Sequence, residues 1–161
     1  TISRLQGYDV VDMNMVCAHI RLGRSKTFPF ETVIRNKEGA ETAVWRFLQP
    51  FLNRGHHVYL ATDSDEVRVQ AKALFGNRIH VSTQPIVHIA LVQDGQNKRQ
   101  GFRLTLMEQM LLTTSCKVLM VSYSGFSMKA AQLRQEIQRY DHSLFMYQNG
   151  SVFGKSVHWL P

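Results

Sequence analysis

Short apolar runs alternate along the chain with longer amphipathic stretches, and this alternation predicts a series of strands and helices. Four of the runs have the length and composition of buried strands. They cover residues 15–22 (MVCAHIRL), 58–61 (VYLA), 78–81 (RIHV) and 118–122 (VLMVS). A further short strand is expected within residues 86–92, and the segment after residue 143 predicts two strands around an Asn149-Gly150 turn.

Apolar positions recur at helical spacing in the stretches between these runs. Helices are predicted over residues 40–53, 102–113 and 127–140, with a fourth between Asp63 and Gly76. Asp63 and Glu66 have the spacing of a capping box at the start of that fourth helix, and Gly76 is suited to end it. The polar residues 93–100 (QDGQNKRQ) are instead expected to form a mobile loop.

Strands that alternate with helices indicate βαβ units, in which consecutive strands run parallel and helices cover the sheet. The predicted fold class is therefore α/β, a Rossmann-like and mostly parallel sheet with helices on both faces. Residues 15–22, 58–61 and 118–122 are expected to be its central strands. The 161 residues, 44% of them hydrophobic, suffice for one substantial core, so we expect a single domain over residues 1–161.

Charge and cysteine content narrow the functional classes. The net charge of +7 suits a phosphate-rich partner such as nucleic acid, an anionic surface or a nucleotide diphosphate, although the dispersed basic residues form no nucleic-acid-binding motif. The two cysteines, Cys17 and Cys116, lie in apolar runs and are expected to be buried and reduced. The histidines lack metal-ligand spacing, so no metal is expected, and no stretch is long and apolar enough to predict a membrane span.

Candidate site residues follow three of the predicted strands, at the carboxyl edge where ligands bind in doubly wound sheets. They are His19 and Arg21 at the end of the first strand, Gly23 just after it, Asp63 after the second strand, and Ser124, Gly125, Phe126 and Ser127 at the turn that opens the last helix. The turn at residues 124–127 could present N–H groups to an anion, or could serve only to build and cap the helix. The planar, permanently charged guanidinium of Arg21 could bind phosphate oxygens, or form an ordinary salt bridge.

The segments HIRLGR, VYLATDSDEV and SYSGFSMKAAQLR contain these residues, and they occur in the order of motifs found in α-1,6- and protein O-fucosyltransferases. From about residue 16 to residue 134 the chain resembles the donor-binding domain of that superfamily. The resemblance implies one half of a GT-B architecture and an inverting, metal-independent transfer from a GDP-sugar, GDP-fucose above all, with no cofactor. It also implies that Arg21 is the catalytic residue at the diphosphate, and that His19, Gly23, Asp63 and residues 124–127 bind the donor.

Several features depart from the pattern of that superfamily, among them Lys117 at a position that is often acidic. Arg24 stands where the motif after the first strand usually carries an acidic residue, which reverses the local charge. A GT-B enzyme also needs an N-terminal domain for its acceptor, here an unknown glycan or protein, and 161 residues leave no room for one. The chain is therefore expected to be a fragment, or a relative that has lost transfer activity.

Three functional hypotheses remain open from the sequence. The leading one is donor binding and glycosyl transfer. The second is a catalytically inactive module with a structural or interaction role in a larger assembly, and the third is a basic nucleic-acid-binding domain. The fucosyltransferase resemblance implies the lumen of the Golgi or endoplasmic reticulum, or the extracellular space, as the compartment.

Overall fold

A six-stranded sheet forms the centre of the computed structural model, which describes residues 15–23, 29, 31, 33–36, 39–86, 95–138 and 143–154. The strands are β1 (Met15–Ile20), β2 (Val58–Thr62), β3 (Ile79–Val81), β4 (Cys116–Val121), β5 (Leu144–Gln148) and β6 (Ser151–Gly154). Their order is β3-β2-β1-β4-β5-β6, and neighbouring strands run parallel except for the antiparallel pair β5 and β6. The predicted α/β class is confirmed, and the three predicted central strands are interior to the sheet.

Helices cover both faces of this sheet, as the sequence predicts. They are α1 (Ala40–Asn53), α2 (Asp65–Phe75), α3 (Gly95–Thr114) and α4 (Gly125–Gln138). Buried residues of α1 and α2, such as Leu48 and Ala71, pack against one face of the sheet, and Leu112 of α3 and Ala130 of α4 pack against the other. The sheet therefore separates two hydrophobic clusters, because successive side chains of each strand point to opposite faces and both faces are covered.

The beginning of α3 corrects one prediction from the sequence. Residues 95–100, expected to form a mobile loop, belong to this helix, while residues 93 and 94 and most of the strand expected within residues 86–92 lie outside the described residues. Residues 98–100 are exposed. Their polarity therefore reflects a solvent-facing helix start rather than a loop.

The start of α2 differs from the predicted capping box. Ser64 is the N-cap, because its Oγ accepts a hydrogen bond from the Val67 N–H at 3.3 Å and donates one to Glu66 Oε2 at 2.8 Å. The prediction that Asp63 caps this helix is wrong. Its carboxylate instead accepts hydrogen bonds from backbone N–H groups just past the end of β1, where strand pairing has stopped.

Cys17 and Cys116 form a disulfide, with 5.5 Å between their Cα atoms. Both residues are buried, so their predicted burial is confirmed, but their predicted reduced state is wrong. The pairing arises because β1 and β4 are neighbours and both side chains join the hydrophobic cluster on the α3 and α4 face. An apolar pattern predicts that each cysteine is buried, but it does not indicate that two residues separated by 99 positions meet.

Two further contacts fix the second half of the fold. The guanidinium of Arg134, buried in α4, donates hydrogen bonds to the carbonyl oxygens of Cys116 and Lys117 and to Ser143 Oγ. These hydrogen bonds link α4 to the start of β4 and to the residue before β5. The hairpin from β5 to β6 turns at residues 149 and 150, both with positive φ, which confirms the predicted Asn-Gly turn.

Candidate functional site

The candidate site lies where the connections of the sheet change direction. From β1 the chain proceeds outward through β2 to β3, and after α3 it enters β4 on the other side of β1. Connections therefore leave β1 and β4 in opposite directions, which opens a crevice at their carboxyl ends. The backbone N–H of Arg21, just past β1, donates a hydrogen bond of 3.1 Å to Ser122 Oγ, just past β4. This bond holds the two strand ends together at the crevice.

The loop after β1 is shaped by Asp63 and Gly23. Asp63, just past β2, accepts hydrogen bonds from the N–H groups of Leu22 at 2.8 Å and Gly23 at 2.9 Å. Gly23 has a φ of +81° and forms an antiparallel bridge with Ile34. A Cβ atom on Gly23 would lie 2.2 Å from the carbonyl oxygen of Val33, so only glycine fits here.

Arg21 lies between two acidic side chains at the crevice. Its Nη2 is 2.6 Å from Glu31 Oε1, and its Nε is 3.8 Å from Asp63 Oδ2. The three side chains are 22%, 11% and 13% exposed, respectively, so these contacts are partly shielded from water. Burial raises the pKa of Asp63, while the two N–H donors of the loop and the charge of Arg21 act in the opposite direction.

A cavity of about 120 Å³ opens beside Arg21. It lies between the ends of β1 and β2 and residues of α2, α3 and α4. Four of the predicted site residues line it, namely His19, Arg21, Asp63 and Phe126. The other four predicted site residues do not line it, and these are Gly23, Ser124, Gly125 and Ser127.

His19 and Phe126 form an aromatic wall of the cavity. Their ring centroids are 5.3 Å apart and the rings are tilted by 47°. Burial, with a smaller contribution from the charge of Arg21, lowers the pKa of His19 to about 3. The imidazole is therefore neutral at physiological pH, so it can serve as a hydrogen-bonding and stacking group rather than as a cation.

Glu108 of α3 and Arg68 of α2 add polar groups to the cavity. The Tyr59 hydroxyl donates a hydrogen bond of 2.8 Å to Glu108 Oε1. Burial raises the pKa of Glu108, opposed by the Tyr59 hydrogen bond and by the charge of Arg68. This part of the cavity therefore combines a guanidinium with a carboxyl group that is largely shielded from water.

The position of Arg68 is fixed by contacts of its Nη1 atom. This nitrogen donates hydrogen bonds to the carbonyl oxygen of Gln84 at 2.8 Å and to Asp65 Oδ1 at 3.2 Å. The Nε atom is buried and makes no hydrogen bond within the part of the chain that the structure describes. A buried donor of this kind at a cavity wall is a candidate contact for a ligand.

The Ser127 hydroxyl bonds within the turn between β4 and α4. Ser127 Oγ donates to the carbonyl oxygens of Ser122 at 3.2 Å and Ser124 at 3.4 Å, and both Ser124 and Ser127 are buried. Gly125, the first residue of α4, is exposed. The Ser127 side chain therefore stabilises the turn, and the role of residues 124–127 in holding phosphate stays a prediction.

Glu31, Arg68 and Ser122, like Glu108, are not among the candidate site residues from the sequence. Glu31 and Arg68 come from a loop and from a helix face, and Ser122 is the last residue of a predicted apolar strand. Their separations from Arg21 in sequence are 10, 47 and 101 positions. Ser122 begins the segment SYSGFSMKAAQLR, one of the three segments singled out in the sequence, whereas no motif links Glu31 or Arg68 to Arg21. The pairing of β1 with β4 brings Ser122 next to Arg21. The bridge between Gly23 and Ile34 brings the loop that carries Glu31 back to the end of β1.

Within the described residues, no group of three or more His, Cys, Asp and Glu side chains is arranged to hold a metal ion. No helix there combines the length and apolar character needed to cross a membrane. A scan against models of known protein families finds no match to the chain, and a search of curated proteins finds no matching sequence.

Proposed function

We propose that the crevice binds a GDP-sugar, GDP-fucose above all, and that the chain supplies the donor site of an inverting glycosyltransferase. The observation that carries this proposal is the convergence of Arg21, His19 and Phe126 in one cavity at the switch point of the sheet. The cavity offers a cation for phosphate, aromatic rings for a base, and polar groups for the edge of that base.

The cavity is too small for the whole donor. Its volume of about 120 Å³ is below the roughly 150 Å³ of an engineered cavity that binds benzene, so it would enclose only part of a larger base such as guanine. Pockets that enclose a complete drug-sized ligand are larger, about 300–1,000 Å³. We place guanine against Phe126, with its polar edge toward Glu108 and Arg68. Guanine presents N–H donors beside a carbonyl acceptor, which a carboxylate and a guanidinium complement.

The diphosphate then belongs at the mouth of the cavity, near Arg21 and the exposed start of α4. In the proposed transfer, an acceptor oxygen attacks the anomeric carbon while the bond from that carbon to the phosphate oxygen breaks. GDP leaves with the bonding electron pair, and the acceptor proton passes to a base that we do not assign. Arg21 stabilises the charge that develops on the departing phosphate, so no metal is required by this proposal.

An inactive module is the second candidate, and one contact favours it. The carboxylate of Glu31 lies 2.6 Å from Arg21 and offsets the charge that a diphosphate would need. A module of this kind would keep the fold and lack turnover.

The disulfide supports the same compartment for both candidates. Structural disulfides persist in oxidising compartments, so the bond between Cys17 and Cys116 favours the lumen of the secretory pathway or the extracellular space.

Calorimetric titration of the wild-type protein with GDP, ADP and UDP tests donor binding without knowledge of the acceptor. We expect GDP to bind at least about tenfold more tightly than ADP, since adenine lacks the adjacent N1–H and 2-amino donors of guanine that would face Glu108. Equal affinity for the three nucleotides would remove the guanine site. Binding of GDP-fucose without its consumption in the presence of candidate acceptors would select the inactive module.

A further inference from the structure

The two ends of the loop after β1 are held together by backbone contacts. Gly23 and Ile34 form an antiparallel bridge, and the N–H groups of Arg35 and Asn36 donate to the carbonyl oxygen of Leu22 at 2.9 and 3.3 Å. The side-chain amide of Asn36 also donates to the Arg21 carbonyl oxygen. The base of the loop is therefore fastened to the end of β1, and Glu31 lies within the loop.

Glu31 reaches back from this loop to the guanidinium of Arg21. The contact of 2.6 Å between Nη2 and Oε1 is a short, charge-assisted hydrogen bond, and the Glu31 side chain is 11% exposed. Partial burial limits the screening of this pair by water and salt. The attraction is therefore stronger than that of a fully exposed salt bridge.

A carboxylate and a phosphate satisfy a guanidinium in the same way, because both present oxygen acceptors to its planar N–H fork. We infer that Glu31 is a built-in competitor of the diphosphate, and that binding of the nucleotide exchanges the Glu31 carboxylate for a phosphate oxygen at Arg21. This inference rests on the proposed donor site. It assigns to Glu31 the role of setting the affinity of that site.

The charge balance of the cluster supports this assignment. Arg21 carries one positive charge, and Glu31 and Asp63 place two acidic groups around it. An incoming diphosphate therefore meets a cation whose charge is already offset. Removal of the Glu31 charge takes away the nearer of these two acidic groups, at 2.6 Å, and leaves Asp63 at 3.8 Å. The backbone contacts at the base of the loop remain.

The test compares the wild type with Glu31→Gln by calorimetry, with GDP and inorganic pyrophosphate as ligands. We expect Glu31→Gln to bind both ligands roughly tenfold more tightly, the factor that corresponds to one competing charged contact. Glu136→Gln, which removes an exposed carboxylate of α4, is the matched control and should leave both affinities unchanged. In an Arg21→Ala background, Glu31→Gln should have no effect on either affinity.

Unchanged or weaker binding by Glu31→Gln, with normal binding by the wild type, would overturn the competitor role and leave the donor site standing. Absence of GDP and pyrophosphate binding in both proteins would overturn the donor site and the competitor role together. Binding by Glu31→Gln alone would support both. Should Glu31→Gln fail to fold, Glu31→Asp, whose shorter side chain reaches Arg21 less well, should also tighten binding, and weaker binding would count against the role.

Discussion

The backbone N–H of Arg21 and the hydroxyl oxygen of Ser122 are joined by a hydrogen bond of 3.1 Å across 101 positions of sequence. The same two strands, β1 and β4, are also linked by the disulfide between Cys17 and Cys116. The crevice at their carboxyl ends is thus built on a strand pair that is fixed by backbone pairing, a covalent bond and a side-chain contact. A site on such a pair is preorganised for its ligand.

The disulfide between Cys17 and Cys116 should stabilise the folded protein strongly, because it closes a loop of about 100 residues in the unfolded chain. Replacement of both cysteines by Ala should lower the free energy of unfolding by about 2–5 kcal/mol. Denaturant titration under non-reducing conditions measures the difference. Detection of two free thiols in the denatured, non-reduced wild type would contradict the disulfide itself.

Arg134 should be essential for stability rather than for binding. Arg134→Ala leaves the carbonyl oxygens of Cys116 and Lys117 without their buried donor, and we expect a loss of roughly 3 kcal/mol or more in the free energy of unfolding. Arg134→Lys should not restore stability, because a single ammonium lacks the planar fork. Lys129→Ala, an exposed position of the same helix, is the control and should change stability by less than about 0.5 kcal/mol. Equal effects of the two alanine variants would argue against the structural role.

Gly23→Ala should perturb the loop that carries Glu31. The new Cβ would meet backbone atoms of Val33 and Arg35, and the positive φ adds strain. Gly39→Ala is a matched control, since Gly39 has a similar φ of +88° and open space around the added atom. Thermal unfolding should show a larger loss for Gly23→Ala than for Gly39→Ala. Similar losses would mean that the loop accommodates the side chain.

The depressed pKa of His19 predicts a pH dependence of stability. In the unfolded chain this histidine protonates near pH 6.5, whereas in the folded protein it stays neutral down to about pH 3. The unfolded state therefore binds a proton over this range, and the free energy of unfolding falls as pH is lowered through it. Asp63 and Glu108, whose pKa values are raised, contribute in the opposite direction.

Comparison with His19→Gln isolates the effect of His19, because both proteins share all the other titrating groups. Unfolding measured between pH 7 and pH 4 should show the wild type losing more stability than His19→Gln, by an amount on the order of a few kcal/mol. If the free energies of unfolding of the two proteins changed equally with pH, His19 would not be buried in its neutral form.

The sequence predicts the strands, the helices and their layering because burial leaves a periodic signature in each element. It also predicts that Arg21, His19, Asp63 and Phe126 lie near one edge of the sheet, since these residues sit at strand ends or a helix start. In the structure these four residues line one cavity. It does not predict the disulfide or the contact of Arg21 with Glu31, because both depend on which elements become neighbours. Nor does it distinguish Asp63 from Ser64 as the cap of α2, since both have the right chemistry and differ by one position.

The titration of GDP into the wild type and Arg21→Ala tests the central claim most directly. Loss of a charged hydrogen-bond partner should weaken GDP binding by roughly 1.5–3 kcal/mol, while Arg46→Ala, at an exposed position of α1, should bind as the wild type does. The double variant with Arg24→Ala belongs in the same series, because Arg24, outside the described residues, could compensate for Arg21. The account predicts GDP binding by the wild type that depends on Arg21. Absence of GDP binding at millimolar concentration, or binding that is indifferent to Arg21→Ala, would contradict it.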